Sequence, residues 1–245
     1  MDNALYVGLS RQMVLRRQLD IVANNIANAD TTGFKVEDLM QKTVPAEPAY
    51  TLGGPRPVKF VGDDGVVRDF GQGGLRTTGA PLDLAIEGQG FFQVNSPTGP
   101  RYTRDGNFRL DDNGNLVTKG GLPVMDDGGG QITLDPTQGQ VTISQDGTVS
   151  QGRTRIGKLG VVNFQTLSTL EKTGDNLYRN TSNQQPTPSE TAQIRQGMLE
   201  GSNVKPIVEI SKMIEVSRAY EQISNIMNAN ADLSKSAVER MGKVQ

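Results

Sequence analysis

Glycine and proline divide this chain into three parts. Of its 29 glycines, 24 fall between Gly53 and Gly174, while the first 30 residues hold only Gly8 and the last 40 only Gly242. No proline precedes Pro45 or follows Pro206. These two residue types punctuate secondary structure more strongly than any others. The distribution requires a helix-compatible start, a turn-rich middle and a helix-compatible end.

At the start, Leu5, Gly8, Gln12, Leu15, Leu19, Val22 and Ile26 recur at alternating steps of three and four residues, with Leu9 and Ala23 beside them. Such steps place residues on one helical face. The spacing predicts a helix from about Asn3 to Asn28, with Gly33 as a left-handed stop after the helix-poor run around Asn24, Asn25 and Asn28. At the end, Met213, Val216, Tyr220, Ile223 and Met227 repeat the pattern, which turns polar at Asn230 and Ser234. Ile210, Ile214, Ile226 and Leu233 flank that stripe. The prediction is a helix from about Pro206 to Met241. Pro206 suits the first turn, where its missing N–H costs nothing, and Ser202 or Asn203 is near enough to cap it. A helix with one apolar stripe needs a partner in water, and each terminal helix is the obvious partner of the other. Seams that include Gly8, Gln12, Asn230 and Ser234 are weak for an isolated pair, which favours pairing completed on assembly. A free-standing coiled-coil stalk is the alternative use of the same helices.

The middle reads as antiparallel β structure. Tyr102–Leu110 reads as strand, Asp105-Gly106 hairpin turn and strand, and Asn113-Gly114 supplies the next turn before Leu116-Val117. Asp146-Gly147 repeats the device, and Ile156–Gln165 reads as one continuous strand. Turns at this frequency predict a barrel or sandwich. The stretch Val44–Gly74, with Pro45, Pro48, Pro55, Pro57 and seven glycines, reads as irregular or loosely stranded. The expected fold class is therefore α+β: N- and C-terminal helices pairing as a coiled-coil-like domain, with a central antiparallel all-β domain. The expected boundaries are residues 1–34 for the first helix, 35–80 for an irregular or β connection, 81–200 for the β domain and 201–245 for the last helix.

The chemistry open to this chain is narrow. It contains no Cys, His or Trp. That excludes disulfides, thiolate nucleophiles, imidazole bases and Cys- or His-ligated metals. With 25 basic and 27 acidic residues, the formal charge of −2 gives no reason to expect a nucleic acid or anionic-membrane partner. No apolar run is long enough for a membrane span, and Arg11, Arg16 and Arg17 interrupt any secretory signal core. Gly88-Gln-Gly90 lacks the third glycine and the following helix of a dinucleotide fingerprint. Asp111–Asn115 resembles a calcium loop in its acidic start but lacks the required Gly and Glu, and reads as a turn. Carboxylates remain: Asp63-Asp64 and Asp126-Asp127 could serve a secreted β-rich protein that binds or cleaves glycan with a carboxylate pair. Each pair also sits beside a turn glycine, Gly65 or Gly128.

Longer motifs carry a resemblance. Ala23-Asn-Asn-Ile-Ala-Asn-Ala-Asp-Thr-Thr-Gly-Phe-Lys35 resembles the N-terminal signature of bacterial flagellar rod and hook proteins. Gly197-Met-Leu-Glu-Gly-Ser-Asn-Val204, with Met213-Ile-Glu and Arg218-Ala-Tyr-Glu221, resembles that family's C-terminal signature. Between them, Pro81–Phe92 and Tyr102–Phe108 are similar to its shared middle domain. Within the family, the opening Met1–Tyr6 and the length of 245 residues look most like the proximal-rod members.

The resemblance implies a structural subunit, not an enzyme, without catalytic residues, cofactor or metal. It implies export unfolded through the flagellar export apparatus without a cleaved signal peptide. Assembly would follow, with other copies and other rod proteins, the distal-rod protein included, into a periplasmic helical tube. That tube would transmit torque and form part of the export channel, with the terminal helices as its inner assembly domain. The expected assembly interface is Leu5, Leu15, Leu19, Val22, Asn24, Asn25 and Ile26 against Ile210, Met213, Val216, Tyr220, Ile223 and Met227, within and between subunits. The three asparagines Asn24, Asn25 and Asn28 are expected to satisfy backbone groups where the first helix ends.

Overall fold

The computed structural model describes residues 2–45, 59–135, 137–182, 184–189 and 191–242. Pro48, Gly53, Gly54, Pro55 and Pro57, part of the stretch expected to be irregular, lie outside the described residues. The chain divides into two compact units, each assembled from discontinuous segments.

The first unit holds residues 1–27, 37–68 and 205–245. Its helix α1 spans Asp2–Ala27 and its helix α2 spans Pro206–Gly242, close to the bounds that periodicity predicts. Strands β1 (Glu37–Pro45) and β2 (Lys59–Arg68) form an antiparallel hairpin, from Glu37 opposite Arg68 to Pro45 opposite Lys59. The register slips between Met40 and Gln41, leaving Asp64 as the extra residue of a bulge. Helix α1 packs on both α2 and the hairpin. The two helices run antiparallel, because Gly8 lies against Met227 while Asn25 reaches Glu209. A Cβ on Gly8 would sit 3.0 Å from Met227 Cγ, so a glycine in the apolar stripe is what lets the helices approach there. At about 1.5 Å per residue, α2 with its 37 residues outruns the 26 of α1. Neither Ser202 nor Asn203 caps α2. Val208 and Glu209 donate backbone N–H groups to the Lys205 carbonyl, and Asn203 bonds the backbone of residues 36, 69 and 71.

The second unit holds residues 28–36 and 69–204 and is almost entirely β. Its strands are β3 (Leu75–Thr77), β4 (Leu84–Glu87), β5 (Phe91–Ser96), β6 (Gly99–Thr103), β7 (Phe108–Leu110), β8 (Leu116–Thr118), β9 (Val141–Ile143), β10 (Thr148–Gln151), β11 (Thr154–Lys158), β12 (Val161–Asn163), β13 (Leu170–Gly174), β14 (Leu177–Asn180), β15 (Thr187–Pro188), β16 (Gln193–Gln196) and β17 (Met198–Glu200). A six-stranded sheet runs β13-β14-β6-β5-β12-β15 and a three-stranded sheet runs β11-β10-β9. The pairs β7-β8, β16-β4 and β17-β3 complete the antiparallel set. Successive residues of β5 point to opposite faces, and both faces are buried. Phe92 and Val94 enter a core with Leu84, Ile86, Leu116, Val149 and Ile194. Phe91 enters an aromatic cluster with Tyr102, Phe164 and Tyr178, packed edge to face at centroid distances of 4.7–6.1 Å.

Two expectations fail in this unit. Asp105-Gly106 does not turn a hairpin, because β6 pairs with β5 and β14 while β7 pairs with β8. Gly106 instead presses on β4, where an added Cβ would lie 1.7 Å from the Leu84 carbonyl oxygen, and Leu84 N–H donates to the Gly106 carbonyl. The run Ile156–Gln165 is not one strand. It breaks at Leu159-Gly160 into β11 and β12, which belong to different sheets. Gly160 backs onto Asp126, with a notional Cβ 2.7 Å from its carbonyl oxygen, and donates to the Met125 carbonyl. The turns at Asn113-Gly114 and Asp146-Gly147 do join paired strands, β7 to β8 and β9 to β10.

Candidate assembly interface

The thirteen residues expected at an interface occupy three kinds of position in the first unit. Leu15, Val22 and Val216 are buried. Leu5, Leu19, Ile26, Met213, Tyr220, Ile223 and Met227 are half-buried. Asn24 and Ile210 are exposed, Ile210 at 48%, and Asn25 is wholly buried. The periodic stripe is therefore mostly turned into the unit. What remains outside is a second apolar row. It takes in Leu9, Ile210, Ile214, Ile226 and Leu233 from beside the stripes, together with Tyr6, Met13 and Ile207, which the sequence pattern does not include. Tyr6, Leu9 and Met13 lie three and four residues apart on α1, at 62%, 45% and 66% exposure. Ile207, Ile210 and Ile214 repeat that spacing on α2, and Ile226 and Leu233 extend the apolar surface at 57% and 66%.

Asn25 anchors a polar hub. Its Nδ2 donates to the Glu37 carbonyl and to Glu209 Oε2, both at 2.8 Å, and its Oδ1 accepts from Glu37 N–H at 3.0 Å. One amide thus completes the backbone of the first residue of β1 and grips α2 in its first turn. Around it, Lys212 Nζ lies 3.0 Å from Glu209 and 3.1 Å from Asp38, and Arg68 Nε lies 2.6 Å from Glu37. Burial works to lower the Lys212 pKa, but hydrogen bonds to Glu209 and Asp38 outweigh it and hold the pKa above its ordinary value. A buried polar group costs little only when bonded, and here each is.

A second cluster lies inside the β unit. Lys35, Arg104 and Glu200 are all nearly inaccessible, at 0%, 3% and 1%. Lys35 Nζ lies 2.6 Å from Glu200 Oε1 and 2.7 Å from the Gly71 carbonyl. Arg104 reaches Glu200 Oε2 at 3.2 Å and the Gly88 carbonyl at 2.7 Å, and its guanidinium lies 5.5 Å from the Phe91 ring centroid. Burial pushes both cations' pKa values down, and Glu200 opposes it. Gly33, at φ +68, donates to the Glu200 carbonyl, and a Cβ there would come within 2.4 Å of Asp105 N. Sequence reasoning did not single out Lys35, Arg104, Glu200 or Glu209. The first three nevertheless sit inside the quoted signatures, so those motifs converge on one buried charge cluster.

The carboxylate pairs are turn and surface groups. Asp63 accepts from Gly65 N–H and faces Arg17 at 3.8 Å, and Asp64 pairs with Lys42. Asp126 accepts from Gly128 and Gly130 N–H. Asp111 accepts from the Asn113 and Asn115 N–H groups, closing its own turn. Among the described residues no cluster of three acidic side chains could hold a metal ion, and no helix is long and apolar enough to cross a membrane.

Three family models match the chain. They are the flagellar basal body rod protein model over residues 5–35, the flagellar hook protein FlgE/F/G D1 domain over 85–151, and the FlgE/F/G basal body rod C-terminal model over 195–240. The chain is 62% identical to the flagellar basal-body rod protein FlgF of Caulobacter vibrioides, over the full length of both. It is 35% identical to FlgF of Mesorhizobium japonicum, covering 99% of each chain. It is 33% identical to the flagellar basal-body rod protein FlgG of Bacillus subtilis, covering 97% of this chain and 98% of that one.

Proposed function

The chain belongs to the flagellar basal-body rod protein family, as a structural rod subunit and not an enzyme, and from that premise we propose that it polymerises as a proximal-rod component through its terminal helices. The flagellar basal body is its place. A glycan-cleaving role has no support, since the relatives are rod proteins and the aspartate pairs serve turns and surface ion pairs.

The observation that carries the proposal is the pair of exposed rows, Tyr6-Leu9-Met13 and Ile207-Ile210-Ile214. Both rows hold large apolar side chains in water at three- and four-residue spacing, on helices that each bury another face, and such a row is a protein-contact surface. In the assembled rod the helices pair in coiled-coil fashion with those of neighbouring copies. The helices within 1–34 and 201–245, with the β1–β2 hairpin packed on α1, then form the inner assembly domain, and residues 81–200 form the β domain. The expected interface set takes part in two ways. Its buried members, such as Leu15, Val22 and Val216, set the α1–α2 pairing, and Ile210 joins the exposed rows in meeting neighbours. A head-to-tail contact repeated without closure builds a helical tube, which can transmit torque and enclose the export channel. Other rod proteins, the distal-rod protein among them, continue the tube. The chain reaches the periplasm through the flagellar export apparatus, without a cleaved signal peptide.

Replacing Leu9, Met13, Ile210 and Ile214 together by Gln tests this. The variant is expected to keep the circular dichroism of the parent monomer. It should not form filaments by electron microscopy and should not restore motility to a deletion strain. Filaments of normal length would refute the proposal.

A further inference from the structure

We propose that residues 193–204 are a closing strap, so that the β unit has a stable fold only while this late segment is in place. Among the described residues, β3 pairs with β17 alone and β4 with β16 alone. Yet β4 supplies Leu84, Ala85 and Ile86, all wholly buried, and Ile194 of β16 packs into the same core at 2% exposure. The strap also stitches distant loops together. Gln196 accepts from Ile143 N–H and donates to the Val141 and Pro81 carbonyls, at 2.8–3.0 Å. Ile194 N–H donates to Gln145, Gly197 N–H to Asp83 and Gly201 N–H to Gly74.

Charge makes the dependence stronger. Glu200 is the carboxylate paired with both Lys35 and Arg104, across sequence separations of 165 and 96 residues. Removing one partner from a buried ion pair strands the other charge at heavy cost. Here, loss of one strap residue would strand two cations. An incomplete chain therefore holds Lys35 and Arg104 in water, and β4 cannot seat its three buried side chains. Because the closing contacts are long-range, their loop-closure entropy is met only when the strap docks. The proposal does not depend on polymerisation.

Native-state hydrogen exchange on the full-length chain, in low denaturant, tests it. The amides of Ile86, Phe92, Ile194 and Leu199 are expected to share one opening equilibrium. The mild variant Ile194→Val should lower protection at all four by the same factor, about twofold to tenfold. Glu200→Gln should do the same by a larger factor, or abolish protection throughout the β unit. If either variant loosens only β16 and β17 while Ile86 and Phe92 keep their protection, the strap is a late addition to a finished core and the proposal fails.

Discussion

Replacing Asn25 by Leu would take away the amide that bonds the N–H and carbonyl of Glu37, and one of the two groups, with Lys212, that hold the Glu209 carboxylate. Each unsatisfied buried group costs about 1–3 kcal/mol. Asn25→Leu is therefore expected to lower the unfolding midpoint of the helical unit sharply in urea, whereas Asn24→Leu, at an exposed site, should change stability by about 0.5 kcal/mol at most. Equal effects of the two would contradict the hub. Gly106→Ala offers a second check at this scale. Its Cβ would need to occupy the space of the Leu84 carbonyl oxygen, so thermal melts should show a loss of about 1–3 kcal/mol. Both residues stand in motifs that the sequence displays openly. Their work was not legible there, because a hydrogen bond from Asn25 to Glu209 spans 184 residues and local pattern carries no information about such a partner.

At the scale of elements, periodicity located α1 and α2 to within a residue or two, because a helix leaves its period in the chain. It did not say which side of each helix would stay in water. The stripe with the best spacing turned inward, and Tyr6, Leu9 and Met13 stayed out, although of these three the sequence pattern includes only Leu9. Strand pairing was read less well. Asn113-Gly114 and Asp146-Gly147 join adjacent paired strands, whereas Asp105-Gly106 has an identical signature and serves close packing. The turns themselves carry an acid response. Side-chain and backbone donors hold the carboxyls of Asp111, Asp135 and Asp146 below the ordinary range of an aspartate. A carboxylate with a depressed folded pKa adds stability that is complete above its unfolded pKa and is lost as pH falls through the folded value. Burial raises the Asp105 carboxyl instead, so its ionised form disfavours folding and acid relieves that part. The variant carrying Asn at 111, 135 and 146 should thus lose less stability than the parent between about pH 4 and pH 2. A parent and variant with parallel melting curves over that range would refute the assignment.

For the molecule as a whole, the divided glycine content marks where helix ends and β structure begins, and the absence of Cys and His excludes thiolate and imidazole chemistry. Those are properties of the chain alone, since propensity and reactivity belong to residues and near neighbours. The signatures also gave the family, although the reason for their residue types stayed hidden until Lys35, Arg104 and Glu200 were seen together. Only the tertiary structure decided that both units are discontinuous in sequence and that residues 37–68 join the helices. It also decided that the last strands close the β core. The physical reason is one of range. A helix or turn is paid for by contacts a few residues apart, whereas a buried ion pair or a strand's missing neighbour draws on free energy from the far end of the chain.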